Sequence, residues 1–135
     1  MLAALRFTTR NPSKTQGANG SDVWQIVILG AGYGGLRTAL DLDRRTVGLE
    51  GVAITIVDRN PTHELVVELH EIASGRLSPN RARIPLPELL GGRRVRLVTA
   101  SVIGVDVAGR RVVTDAGTFA YDHLVVALGS VADDY

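Results

Sequence analysis

Six residues constrain this chain more than any others: Gly30-Ala31-Gly32-Tyr33-Gly34-Gly35. They fit the spacing G-x-G-x-x-G through Gly30, Gly32 and Gly35. Before them, Trp24 to Leu29 is short and nearly all apolar, as a strand covered on both faces is. After them, residues 33–45 read as an amphipathic helix. Leu36, Ala39 and Leu40 share one face, and Arg37–Asp41 and Asp41–Arg45 are spaced as i,i+4 ion pairs on the other. In that setting each glycine has a reason. Gly30 permits the tight turn out of the strand, Gly32 leaves a pyrophosphate room against the backbone, and Gly35 lets the helix pack close to the sheet. The anion then meets free N–H groups at the positive end of the helix. No Lys-Ser/Thr pair follows, so this is not the loop of an ATP-hydrolysing site.

The next apolar run, Val52 to Val57, closes on Asp58, 23 residues beyond Gly35. A carboxylate at that point can accept hydrogen bonds from a ribose hydroxyl pair. Its charge argues against a 2′-phosphate there, hence against NADP. FAD and NAD share the fingerprint, so the motif does not choose between them. Further on, Leu65, Leu69, Ile72 and Ala73 recur at helical spacing and predict a helix ending at Gly75. Residues 76–84 read as loop and Pro85 to Leu90 as a short helix. Val95 to Thr99 predicts a strand. Val102 to Val107, Arg111 to Thr114 and the stretch after the Asp115-Ala116-Gly117 turn predict a small antiparallel meander. His123 to Leu128 is a last buried strand, running into Gly129-Ser130. The expected fold class is α/β: a Rossmann-like parallel sheet with crossover helices and a three-stranded antiparallel meander, an FAD/NAD(P)-binding fold, incomplete.

Length and composition narrow the function. A chain of 135 residues is one domain by prior. With 45% apolar residues and a net charge of +1, it is neither a disordered chain nor a broadly basic nucleic-acid binder. No apolar run approaches the length of a membrane-spanning helix. There is no cysteine, so this stretch holds no disulfide, thiolate metal site or redox dithiol. Residues 1–22 carry Arg6, Arg10 and Lys14 with no acid before Asp22, and lack apolar periodicity. A flexible extension is expected there, with a targeting peptide as the alternative. Residues 23–135 form the folded part.

The other polar residues fit plain structural roles. Glu64, Glu68 and Glu71 lie near His63 and His70; a solvated helix face is expected there, not a metal site. His123 reads as a strand-entry residue, and Asp106 and Asp115 as hairpin ends. Arg93, Arg94 and Arg96, with Arg81 and Arg83 upstream, make a local basic patch. It is expected to be solvated surface, the alternative being contact with an anionic membrane or a further domain.

The segments IVILGAGYGGLRTALDL, ITIVDRNPTHELVVELHEIASGRLSP, VRLVTASVIGVD and YDHLVVALGS together resemble the N-terminal part of type II NADH dehydrogenases. These are flavoenzymes of the two-dinucleotide-domain group that pass electrons from NADH to a quinone. The stretch from Asp58-Arg59-Asn60 through His63 to Leu77-Ser78-Pro79 is the more specific part of the likeness. The resemblance implies that Gly30, Gly32, Tyr33, Gly34 and Gly35 line the FAD pyrophosphate. It places Asp58 on the adenosine ribose, Arg59 beside the adenine, and the Val102 backbone against it. Gly129 and Ser130 would pass the flavin's phosphate side, and His63 is a weaker candidate contact. Catalytic residues are not assigned.

Family members are about three times longer, so the chain is expected to be the first lobe of the FAD domain, ending before the NADH-binding domain. NADH and quinone would be met through parts outside it, and the stretch alone is not expected to turn over. A cytoplasmic location, peripheral contact with a membrane and a homodimer are expectations for the longer parent. Two other readings stay open: a nucleotide-binding module without turnover, and part of a ferredoxin-type FAD reductase.

Overall fold

The computed structural model describes residues 15–16, 22–65 and 68–130. In chain order the elements are β1 (Thr15–Gln16), β2 (Asp22–Leu29), α1 (Tyr33–Arg45), β3 (Val52–Asp58), β4 (Thr62–Glu64), α2 (Leu69–Ala73), β5 (Arg83–Pro85), α3 (Leu86–Leu90), β6 (Val95–Thr99), β7 (Val102–Asp106), β8 (Arg111–Thr114), β9 (Gly117–Ala120) and β10 (His123–Val126). The buried apolar runs become a parallel sheet in the order β10-β2-β3-β6. Ile26, for instance, stands between Ile54 on one side and His123 on the other. β1 adds an antiparallel pair at the start of β2, Thr15 opposite Val23 and Gln16 opposite Asp22. Apart from these, the expected extension and its alternative as a targeting peptide lie outside the described residues.

Side chains alternate across this sheet, and both faces are covered. Ile28, Ile54 and Ile56 pack with Leu36 and Ala39 of α1, Leu86 and Leu90 of α3, and Val95. Val27, Leu29, Val57 and Val98 point the other way, onto Val112 of the meander and Tyr121. Two covered faces explain why these strands read as continuous apolar runs. The meander pairs β7 with β8 and β8 with β9, with a register shift between Val102 and Gly104. Asp106 and Asp115 stand at its turns as expected: Asp106 accepts from Gly109 N–H within its own turn at 2.8 Å, and Asp115 accepts from Ser101 N–H, at the entry to β7, at 2.9 Å.

The structure departs from the sequence reading between β3 and β6. The expected helix up to Gly75 is only Leu69–Ala73. Before it, Thr62–Glu64 is extended, because it pairs with Arg83–Pro85, at the end of the stretch read as loop and the first residue of the expected short helix, which begins at Leu86 instead. Leu65 N–H to Ala82 O (2.8 Å) and Leu86 N–H to Pro61 O (2.9 Å) continue that ribbon at both ends. A 3₁₀ turn, Pro79–Ala82, occupies the rest of the expected loop. Long-range pairing has overridden a local helical pattern here.

Two charge expectations also change. Asp41 binds Arg37 and Arg44, not Arg45. These bonds, Arg44's first, hold its carboxyl below the usual range. The basic patch is not simply solvated. Arg93 and Arg94 reach the buried Asp43 carboxylate at 3.7 and 3.4 Å, and Arg94 N–H donates to it at 3.2 Å. Arg96 lies over the Phe119 ring, and Arg83 pairs with Glu64 at 3.3 Å. Asp43 therefore pins the end of α1 to the start of β6.

Candidate functional site

The parallel strands all end on one side of the sheet, and a cavity of about 640 Å³ opens there. That volume suits a small-molecule site, and the carboxyl ends of parallel strands are where α/β sheets bind ligands. β2 delivers the glycine loop to its floor. Gly30 N–H donates to Val57 O (2.7 Å), and Ala127 N–H donates to Leu29 O (2.8 Å). The loop is thus held between the ends of β3 and the segment after β10.

The three glycines differ in what surrounds them. Gly30 has φ +93°, and a Cβ there would lie 2.8 Å from the Ala127 carbonyl carbon and closer to its oxygen. At Gly35 a Cβ would lie 2.9 Å from the Gly30 carbonyl carbon and overlap its oxygen. These two glycines are required by the protein itself. Gly32 is not: beyond its own chain neighbours, nothing in the described structure lies within 4 Å of its Cβ position. The open space is the cavity side of the loop. Gly32 is also the N-cap of α1, which has no side-chain cap and no acid in its first turn. The positive end of a 13-residue helix is therefore left for an external anion.

Gly30, Gly32, Tyr33, Asp58, Arg59, Val102 and Gly129 all line the cavity. Gly34 and Gly35 do not line it: Gly34 is exposed and Gly35 is buried against Gly30, while Ser130 is exposed just past Gly129. Sequence reasoning missed Ala127 and Leu128, which wall the cavity where β10 stops short of its expected end at Leu128.

Asp58 is tied into the loop. Its Oδ2 accepts from Ala31 N–H at 2.6 Å and its Oδ1 from Asn60 N–H at 2.8 Å. A carboxylate has about four acceptor sites, so capacity for a ribose hydroxyl remains. Asp58→Asn removes one of the two acceptor oxygens and sets an NH₂ against one N–H donor. It is expected to destabilise the fold by about 1–3 kcal/mol, read as a lowered thermal midpoint.

His63 is 5% exposed and does not line the cavity. Its Nδ1 lies 2.9 Å from the Ala31 carbonyl oxygen, and its ring meets Tyr33 edge-on, centroids 4.8 Å apart. The structure therefore places it against the carbonyl of the glycine loop. His123 opens β10 and stacks on Trp24 at 5.5 Å. Among the described residues, no three His, Asp or Glu side chains come together to hold a metal. No described helix is long and apolar enough to cross a membrane.

Residues 24–135 match the family model described as pyridine nucleotide-disulphide oxidoreductase. The chain belongs to this family. Membership accounts for the glycine loop, the strand order and the meander together. Within the family, the chain is 34% identical over 111 residues to a type II NADH:quinone oxidoreductase of Staphylococcus aureus, covering 82% of this chain and 27% of that protein. It is 32% identical, with the same coverage, to one of Staphylococcus epidermidis. It thus spans about a quarter of the length of these relatives. Among solved structures, NDH2 from Plasmodium falciparum in complex with NADH superposes with a TM-score of 0.69 at 20% identity, covering 82% of this chain and 23% of that one. The sulfide:quinone oxidoreductase of Aquifex aeolicus gives 0.67 at 23%, covering 79% and 24%. These last two likenesses concern the fold. The disulphide chemistry in the family's description requires cysteines, and this sequence has none.

Proposed function

We propose that the chain is the FAD-binding lobe of an NADH:quinone oxidoreductase. The observation that carries this reading is Gly32: an open Cβ position at an uncapped helix N-terminus, facing a cavity with Asp58 at its lip. That cradle fits a dinucleotide. The pyrophosphate would lie on Gly32 and Tyr33, with Gly30, Gly34 and Gly35 shaping the turn beneath it. Asp58 would accept from the adenosine ribose. Arg59 and the Val102 backbone would flank the adenine, and Gly129 and Ser130 would follow the phosphates toward the flavin. The acidic Asp58 disfavours a 2′-phosphate at that place. The likeness to type II NADH:quinone oxidoreductases supports FAD as the group held, NADH as donor and a quinone as acceptor.

When bound, FAD would supply the chemistry, taking hydride from NADH and passing electrons on. This chain's own work is binding and orientation. The glycine loop offers N–H groups to the anion, and Asp58 fixes both the loop and the ribose end. Contact with NADH, quinone and any membrane would belong to a longer parent protein.

The test is FAD titration of the 135-residue chain, with NADH oxidation measured against a soluble quinone. Saturable flavin uptake without turnover is expected. Absence of uptake overturns the proposal, and turnover by this chain alone overturns the division of labour.

A further inference from the structure

The bond between His63 and the Ala31 carbonyl has a consequence for the peptide that follows. A trans peptide is planar, with its C=O and N–H pointing in opposite directions. His63 Nδ1 holds the Ala31 oxygen on the buried side of the loop at 2.9 Å. The N–H of the same peptide belongs to Gly32 and is thereby turned the other way, toward the cavity that Gly32 lines. Asp58 does the complementary work on the preceding peptide. It holds Ala31 N–H at 2.6 Å, and the opposed Gly30 oxygen lies against Gly35. Two successive peptide planes are thus set by two side chains.

We infer that His63 is a positioning residue for the dinucleotide: by donating from Nδ1 to the Ala31 carbonyl, it aims the Gly32 N–H at the pyrophosphate. This rests on the function proposed above. A carbonyl oxygen only accepts, so the proton must be on Nδ1. The ribbon of β4 and β5 exists at this point to present the side chain, with His63 opposite Ile84 and the Arg83–Glu64 ion pair beside it. Tyr33, which is half-exposed and lines the cavity, closes over the imidazole edge.

Two substitutions separate the hydrogen bond from the ring. His63→Phe keeps an aromatic ring against Tyr33 and loses the donor. His63→Asn loses the ring and keeps an N–H at the same number of bonds from Cβ as Nδ1. In the full 135-residue chain, His63→Phe is expected to weaken FAD binding on the order of tenfold, because the Ala31–Gly32 peptide is no longer held in advance with its N–H toward the anion. His63→Asn should recover most of that affinity while melting lower than His63→Phe. A purely structural role predicts the reverse, with affinity following the ring.

Nitrogen NMR of the ligand-free chain gives a second readout, independent of FAD. The imidazole should carry its proton on Nδ1, and the Gly32 amide resonance should move in His63→Phe. Wild-type affinity in His63→Phe, or a proton only on Nε2, overturns the inference. Failure of the unsubstituted chain to take up FAD is a failure of the functional reading, and the nitrogen spectra still decide whether His63 sets the loop.

Discussion

Gly32→Val should cost the protein at least a hundredfold in FAD affinity, about 3 kcal/mol, and almost nothing in stability. The backbone at Gly32 has φ −67° and ψ −171°, an extended conformation that valine adopts without strain. Beyond its own chain neighbours, no described atom lies within 4 Å of the new Cβ. The loss at an N-cap position stays within about 1 kcal/mol. The branched side chain instead fills the space where an anion would approach the start of α1. Flavin titration and thermal unfolding of the same sample check both halves. A variant that binds FAD normally would remove the pyrophosphate from this loop. One that unfolds would mean that Gly32 is needed by the protein and not by its ligand.

Gly35→Ala should do the opposite. Its single methyl group would overlap the Gly30 carbonyl oxygen and press on the Ala127 methyl at 3.4 Å. Neither backbone can retreat, because Gly30 is bonded to Val57 and Ala127 to Leu29. Overpacking of this kind is expected to destabilise by about 3 kcal/mol, a large part of an ordinary domain's margin of roughly 5–15 kcal/mol. Chemical denaturation without any ligand is the measurement. An unchanged midpoint would contradict the close approach of α1 to the loop. Gly35 and Gly32 are three residues apart in one motif, yet one serves the fold and the other the ligand.

Much of this was legible in the residues because it is periodic or punctuated. Helix α1 begins and ends where its pattern predicted, Tyr33 to Arg45. The runs ending at Leu29 and Asp58 are the central strands. The alternation after Val102 is the meander covering one sheet face. What stayed hidden depends on pairing across distance. Strands β4 and β5 have three residues each and no alternation of their own; they are extended because each finds the other. The job of His63 follows from that ribbon and left no mark in sequence. Asp43 did leave one. It falls seven residues after Leu36, four after Ala39 and three after Leu40, so it lies on the apolar face of α1. An acid there calls for cationic partners, and Arg93 and Arg94, reaching in from the surface, are those partners.

The floor of the glycine loop has a consequence for the order of events during synthesis. Gly30 and Gly35 close against Ala127, and the two ends of this arrangement meet just before β10. There Asp122 accepts from Gln25 N–H at 2.8 Å and Asp122 N–H donates to Gln25 O at 2.8 Å, a separation of 97 residues. Contacts so distant in sequence form late and slow the search for the native state. As the chain leaves the ribosome, β2 and β3 emerge with the nucleotide loop between them but without its floor. For the time needed to translate the meander and β10, the outer edge of β2 stands open, an invitation to mispairing. The signature motif therefore appears before the backbone that supports it. It must wait for a strand made almost a hundred residues later.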